Sequence, residues 1–266
     1  MDHQPNQRIA TLLDNLTAEE RRQVFGLLRI EFPIHPLEKE FDAPAEVILE
    51  AISRSPDLTR RGVRGIIAEA WFETRVLPRL QEWTSKETGG DKAYDFLIEN
   101  GLRSVRIQVK MQRLKKHVPM RAREANKLFS DDKYVVETQK TRGGIDTEGK
   151  DTRPYRFGEF DLLAVSLHPS TRNWDDFMYI AANWLVPDPH DSDNIFKYQP
   201  VPMEEDDFWT RDLNRCIETL HNQGMRRIFE LPATYSAKTR RRKSVNVGEK
   251  PNHPRKGTQP LFRGTD

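Results

Sequence analysis

The stretch YDFLIENGLRSVRIQVKMQR, residues Tyr94 to Arg113, decides the fold. Asn100-Gly101 between two apolar runs is the strongest short-range signal for a β-hairpin. In the second arm Val105, Ile107, Val109 and Met111 alternate with Arg106, Gln108 and Lys110. A period of two sends these sets to opposite faces of a sheet. Gln108 and Lys110 therefore share a face, and Asp95 on the first arm can approach them across one sheet edge. An acid, an amide oxygen and a lysine so placed suggest metal-assisted hydrolysis.

Upstream, residues 6 to 30 show helical spacing (Ile9, Leu12, Leu13, Leu16), and Thr17 with Glu20 forms a capping box ahead of Val24, Leu27 and Leu28. A proline-rich connector over 32–44 leads to a short helix with Val47, Ile48, Ala51 and Ile52 as its stripe. This N-terminal region, residues 1–58, is expected to pack on the core as a helical cap, with dimerisation or DNA contact as the other reading. Residues 59 to 77 predict a longer helix with Val63, Ile66, Ile67 and Ala70 on its apolar face, ended by Pro78. Glu69 lies at the margin of that face. A carboxylate there needs a pairing group or a cation, or else faces water. Residues 83 to 93 read as a loop.

Downstream, residues 102 to 127 carry nine Lys or Arg against one acid, Glu124. Such a run is either a solvated face or a track for phosphates beside the site. KYVVET (133–138) reads as a strand, 139–158 as a long polar loop, and FDLLAVSL (160–167) as a strand buried on both faces, with 176–186 as its partner. A helix over 205–223 places Cys216 on its apolar stripe as core filler. From Ser236 to Asp266 nine Lys or Arg face two acids without hydrophobic periodicity, a basic arm that orders only along a polyanion.

The bulk composition is less telling. The chain has 266 residues, 32% of them charged, and a net charge of +2. Its local charge distribution therefore says more than its balance. A single cysteine excludes an internal disulfide and a multi-cysteine zinc site, and seven scattered histidines argue against a zinc enzyme. No apolar run reaches membrane-spanning length, and no signal-peptide pattern opens the chain, so a soluble, cytoplasmic protein, bacterial in type, is expected.

The candidate site is a hard-cation site in its chemistry. Mg2+ takes oxygen ligands, commonly one or two carboxylates with waters and phosphate. Asp95 and Glu69 offer carboxylates, Gln108 an amide oxygen and Val109 its backbone carbonyl. Lys110 can position water or stabilise developing charge on phosphorus.

Asp95, Gln108 and Lys110 on a hairpin, preceded by a helix with an inward Glu69, resemble the PD-(D/E)XK nuclease motif, and most of all that of type II restriction endonucleases. VVETQKTRGG followed by TRPYRFGEFDLLAVSL is similar to the later core strand and loop of such enzymes. The resemblance covers roughly residues 59 to 186. It implies an α/β fold with a central mixed β-sheet flanked by helices, a nuclease core over 59–235, and Mg2+ as cofactor with Mn2+ as substitute. It also implies homodimeric cutting of double-stranded DNA at a short symmetric site. Asp95, Gln108, Lys110 and Glu69 carry over as the catalytic set. Tyr94 stands where the family usually has Pro, and Gln108 where it has Asp or Glu, which removes one negative charge and shifts metal binding onto Asp95 and Glu69. DNA contacts are expected from Arg106, Arg113, Lys115, Lys116, Arg121 and Arg123, from Gln139, Lys140, Arg142, Arg153 and Arg156, and from Arg240, Arg241, Arg242 and Lys243 of the arm. The other readings are a repair, recombination or phage-processing nuclease of the same fold and a non-catalytic DNA-binding protein.

If both basic segments touch phosphates, DNA affinity falls steeply with salt. Removal of residues 236–266 should lower both the affinity and the slope of log K against log salt while leaving the thermal melt unchanged. Fluorescence anisotropy at several salt concentrations measures both.

Overall fold

The computed structural model describes residues 5–32, 35–87, 90, 92–101, 103–140, 143–144, 147, 151–222, 227–229 and 231–232. The basic arm from Ser236, and Arg142 within the polar loop, lie outside the described residues.

Five helices come first: α1 (Pro5–Asp14), α2 (Ala18–Glu31), α3 (Leu37–Glu40), α4 (Ala45–Arg54) and α5 (Asp57–Trp71). The capping box at Thr17 and Glu20 forms as its residues dictate and opens α2. A π-helical turn, Phe72–Val76, and a 3-10 turn, Leu77–Arg79, extend α5 to the sheet. Next come β1 (Thr84–Lys86), β2 (Phe96–Asn100), β3 (Arg103–Met111), β4 (Leu114–Lys115), β5 (Val118–Pro119), α6 (Ala122–Ala125) and β6 (Tyr134–Glu137). β7 (Leu162–Ser166), α7 (His168–Thr171), β8 (Phe177–Ala181), β9 (Tyr198–Val201) and α8 (Leu213–Asn222) complete the described elements.

The central sheet has the order β1-β2-β3-β7-β8. β3 and β7 run parallel, and the other neighbours are antiparallel, so the sheet is mixed as expected. The register pairs Asn100 with Arg103, which starts the turn at Gly101 (φ +57°), one residue later than the Asn-Gly signal suggests. The larger difference is position: β3 is the middle strand of five, so Gln108 and Lys110 lie inside the sheet rather than at its edge.

Alternation then sorts the core. Ile98, Val105, Ile107, Val109, Leu162, Ala164, Phe177 and Tyr179 pack under α5 and α8, against Ala68, Phe72, Val76, Leu213, Cys216 and Ile217. Leu163, Val165, Met178 and Ile180 face the other way. They are covered by Tyr155, Phe160, Trp184, Trp209 and the small β6–β9 sheet through Val136 and Val201. Cys216 is free and buried, and burial pushes its thiol up, which suits filler rather than a nucleophile.

Three expectations change. The buried side of α5 is Ala68, not Ile66 and Ile67, which are exposed, and the apolar anchors come after it as Phe72, Val76 and Leu77. The bulky β-branched residues read as the core stripe sit outside because methyl-sized Ala68 is the residue against the sheet. Residues 84–86, read as loop, form the short edge strand β1, whose three exposed residues give no hydrophobic alternation to read. α1 to α4 expose Ile9, Leu12, Phe25, Leu27, Val47 and Leu49, and among the residues before Ala68 whose burial is described none is buried, so no side chain described there enters the core that the region was expected to cap. α2 to α4 are instead tied together by Arg29, which pairs with Glu38 (2.8 Å) and Glu46.

The parallel β3–β7 pair is pinned at its start by Arg106 and Asp161. The Arg106 backbone N–H and Nε donate to Asp161 Oδ2 (2.8 and 2.9 Å), Nη2 donates to Oδ1 (2.7 Å), and Nη1 to the Gly158 carbonyl (2.6 Å). Hydrogen bonds to charged groups contribute about 1.5–3 kcal/mol each at most, and less where water competes. Asp161→Ala should therefore lower unfolding free energy by about 1–3 kcal/mol, read as a lower urea midpoint at unchanged m-value.

Candidate active site

The site is built on a ladder that stops. β2 pairs with β3 from Asn100↔Arg103 to Phe96↔Ile107. The Asp95 N–H still donates to the Ile107 carbonyl (2.9 Å), but beyond this the Val109 N–H meets no strand partner on that side. A buried N–H needs an acceptor. Asp95 Oδ2 supplies it at 2.7 Å, so the carboxylate is held by the backbone of β3. The same oxygen accepts from Gln108 Nε2 at 2.5 Å, and Gln108 Nε2 also reaches the Val109 carbonyl (3.2 Å).

Gln108 is buried, and its Oε1 accepts from the Tyr155 hydroxyl (3.2 Å). The amide oxygen expected as a ligand therefore faces Tyr155, and its NH2 end faces Asp95. This orientation follows from the neighbours: an ionised carboxylate and a carbonyl can only accept. Lys110 Nζ and Lys140 Nζ each lie 5.5 Å from the centre of the Tyr155 ring.

Electrostatics couple the group. Burial is the largest influence on Glu69 and, with the Asp95 charge beside it, raises its pKa to about 7, against a smaller opposing pull from Lys110. Asp95 is also raised, by burial, while Lys110, the Val109 N–H and the Gln108 amide act to lower it. Lys110 is lowered by burial, and the Asp95 and Glu69 charges push it back up. Two carboxylates held above their ordinary range beside a lysine held below its own is the pattern of a site that handles charge. Helix α5 and the β2–β3 hairpin place Glu69, Asp95 and Lys110 within electrostatic reach of one another, with Gln108 hydrogen-bonded to Asp95. Among the described residues no three His, Cys, Asp or Glu side chains cluster.

The expected DNA-contacting residues divide. Arg106 is hydrogen-bonded to Asp161 and to the Gly158 carbonyl. Arg113 pairs with Glu137, Lys115 with Glu124 (2.6 Å) and Lys140 with Glu159 (2.6 Å). Arg121 is exposed and stacks over Tyr134 at 4.3 Å. Lys116, Arg123, Arg153 and Arg156 are exposed, and Gln139 is half-buried. Arg142, Arg240, Arg241, Arg242 and Lys243 lie outside the described residues. Sequence reasoning missed Tyr155. The one available signal was an aromatic residue in TRPYRFG, within a loop noted only for its basic residues.

No protein-family model matches this chain, and no curated protein matches it. A solved structure does, in part. The bacterial homing endonuclease I-Ssp6803I is similar over 45% of this chain and 66% of its own, at 18% identity and a TM-score of 0.29. The match thus spans just under two thirds of that protein.

Because the folded protein holds the Glu69 proton more tightly than the unfolded chain, this carboxyl favours folding fully below pH 4.5. That contribution is lost as pH rises to about 7. Urea midpoints of the wild type minus those of Glu69→Gln should fall monotonically from pH 4.5 to about 7 and then level off.

Proposed function

We propose that this chain is a Mg2+-dependent endonuclease of the PD-(D/E)XK type, a type II restriction enzyme that cuts double-stranded DNA at a short specific sequence as a homodimer. The observation that carries this reading is the meeting of Glu69, Asp95, Gln108 and Lys110 around the end of the β2–β3 ladder. The donor set fits a hard divalent cation: every candidate ligand atom is oxygen, and two are carboxylates that burial disfavours in their charged form, a cost a bound cation offsets. Asp95, Glu69 and the Val109 carbonyl would hold it, with Gln108 beside them. When bound, Mg2+ supplies Lewis-acid polarisation of a phosphoryl oxygen and of water.

The remaining work belongs to the chain's own side chains. The Val109 N–H fixes Asp95, so the carboxylate is placed before substrate arrives. Lys110 Nζ, with its basicity reduced by burial, can exchange a proton with the attacking water and stabilise charge on the phosphate. The water oxygen bonds to phosphorus as the bond to the leaving sugar oxygen breaks. The exposed Lys116, Arg121, Arg123, Arg153 and Arg156 are suited to phosphate contacts, whereas Arg106 is held by Asp161. One site per chain serves one strand, which is the reason for a second copy in a double-strand cut.

Incubation of the purified protein with Mg2+ and unmodified genomic-size DNA, followed by sequencing of fragment ends, tests this. A single recurring sequence at the ends is expected. DNA left intact with both Mg2+ and Mn2+ would overturn the nuclease reading, and ends without a common sequence would overturn the restriction reading. Lys110→Ala and Asp95→Ala should each lower the cleavage rate by about 10²–10⁴-fold in a single-turnover assay, with duplex binding retained.

A further inference from the structure

Tyr155 touches Gln108, the residue that departs most from the family pattern. It is buried, its ring packs edge-on against Phe160 (centroids 5.3 Å apart), and its carbonyl accepts from the Ile195 N–H (2.7 Å). It is therefore held on both sides, with its hydroxyl donating to Gln108 Oε1 at 3.2 Å.

Consider what each neighbour of the Gln108 carboxamide can do. Asp95 Oδ2, which already accepts from the Val109 N–H, and the Val109 carbonyl act as acceptors, so they take the NH2 end. A cation among those same oxygens needs the opposite end, because NH2 is no ligand to a hard cation. The Tyr155 hydroxyl is the neighbour able to serve both arrangements, since it can donate to an oxygen or accept from an NH2.

We propose that Tyr155 is a positioning residue that lets the Gln108 carboxamide invert, NH2 toward Asp95 without a cation and oxygen toward the cation when one binds, with the hydroxyl switching from donor to acceptor. The inference rests on the reading of this site as a cation centre. It assigns the glutamine a purpose: its NH2 end satisfies Asp95 and the Val109 carbonyl, which a second carboxylate could not do without repelling Asp95.

The test uses the full-length protein and metal alone, without DNA. Mg2+ should shift the Gln108 side-chain NH2 resonances of protein labelled with 15N-glutamine, identified by their loss in Gln108→Glu. Tyr155→Phe keeps the ring and both lysine contacts and removes only the hydroxyl. It should weaken Mn2+ binding, followed by electron paramagnetic resonance, about tenfold, the scale of one hydrogen bond. In the Gln108→Glu background the same change should cost less than about twofold, because a carboxylate presents oxygen at both ends. Gln108→Glu with Tyr155 intact should bind Mn2+ at least as tightly as the wild type, a result that stands even if Tyr155→Phe folds poorly. Equal weakening in both backgrounds, or Mn2+ binding without movement of the Gln108 resonances, would overturn the inversion while leaving the cation centre standing. No Mn2+ binding by the wild type would overturn both.

Discussion

One carboxylate oxygen, Asp95 Oδ2, holds the site together because the β2–β3 ladder ends beneath it. Past the Phe96↔Ile107 pair, β3 continues without β2, and the Val109 N–H would be left buried and unpaired. Asp95 resolves this with its side chain and so becomes part of the sheet's hydrogen bonding. The main chain, through the Val109 N–H, places this carboxylate. Its geometry is as rigid as the strand it caps, and that strand is the middle one of five.

From that constraint the charge arrangement follows. Fixing Asp95 beside Lys110 and near Glu69 puts two acids and one base, each half-buried, within electrostatic reach of one another. Burial opposes the charged form of all three, while lysine and carboxylates support one another. Such a group has surplus electrostatic cost, which a fold tolerates at a site of function and rarely elsewhere. Around it the scaffold is conventional: apolar rows on both faces of β3 and β7, an Arg106–Asp161 clamp at the mouth of the parallel pair, and α5 with α8 as the roof.

How much of this could be read from the sequence varies by residue. The alternation Val105-Ile107-Val109 against Gln108-Lys110 made the hairpin and the shared face of the two polar residues legible, because a period of two is a direct consequence of strand geometry. The unbroken apolar run at Leu162–Ser166 likewise gave a strand covered on both sides. Ile66 and Ile67 misled, since hydrophobicity marks a helical face only when nothing smaller is needed against the sheet. The two-residue strands at Leu114 and Val118 and the short Tyr198–Val201 strand offered too few positions for any period to emerge. The orientation of the Gln108 amide was beyond reach for another reason: it depends on Tyr155, forty-seven residues away and joined to it only by the fold.

The π-helical turn at Phe72–Val76 has a further consequence. A π turn holds one residue more than an α turn, so it behaves as an inserted residue stored inside a helix. Each residue of α-helix corresponds to about 100° of rotation. The extra residue therefore sets the rotation of Glu69, upstream, relative to the buried anchors that follow it, Phe72 and Val76 within the turn and Leu77 just after it. Deleting one residue from this turn would keep both halves helical but turn them against each other by about that angle. The aromatic and aliphatic anchors could then stay seated only by swinging Glu69 away from Asp95. In this helix, chain length is itself a determinant of how Glu69 is aimed.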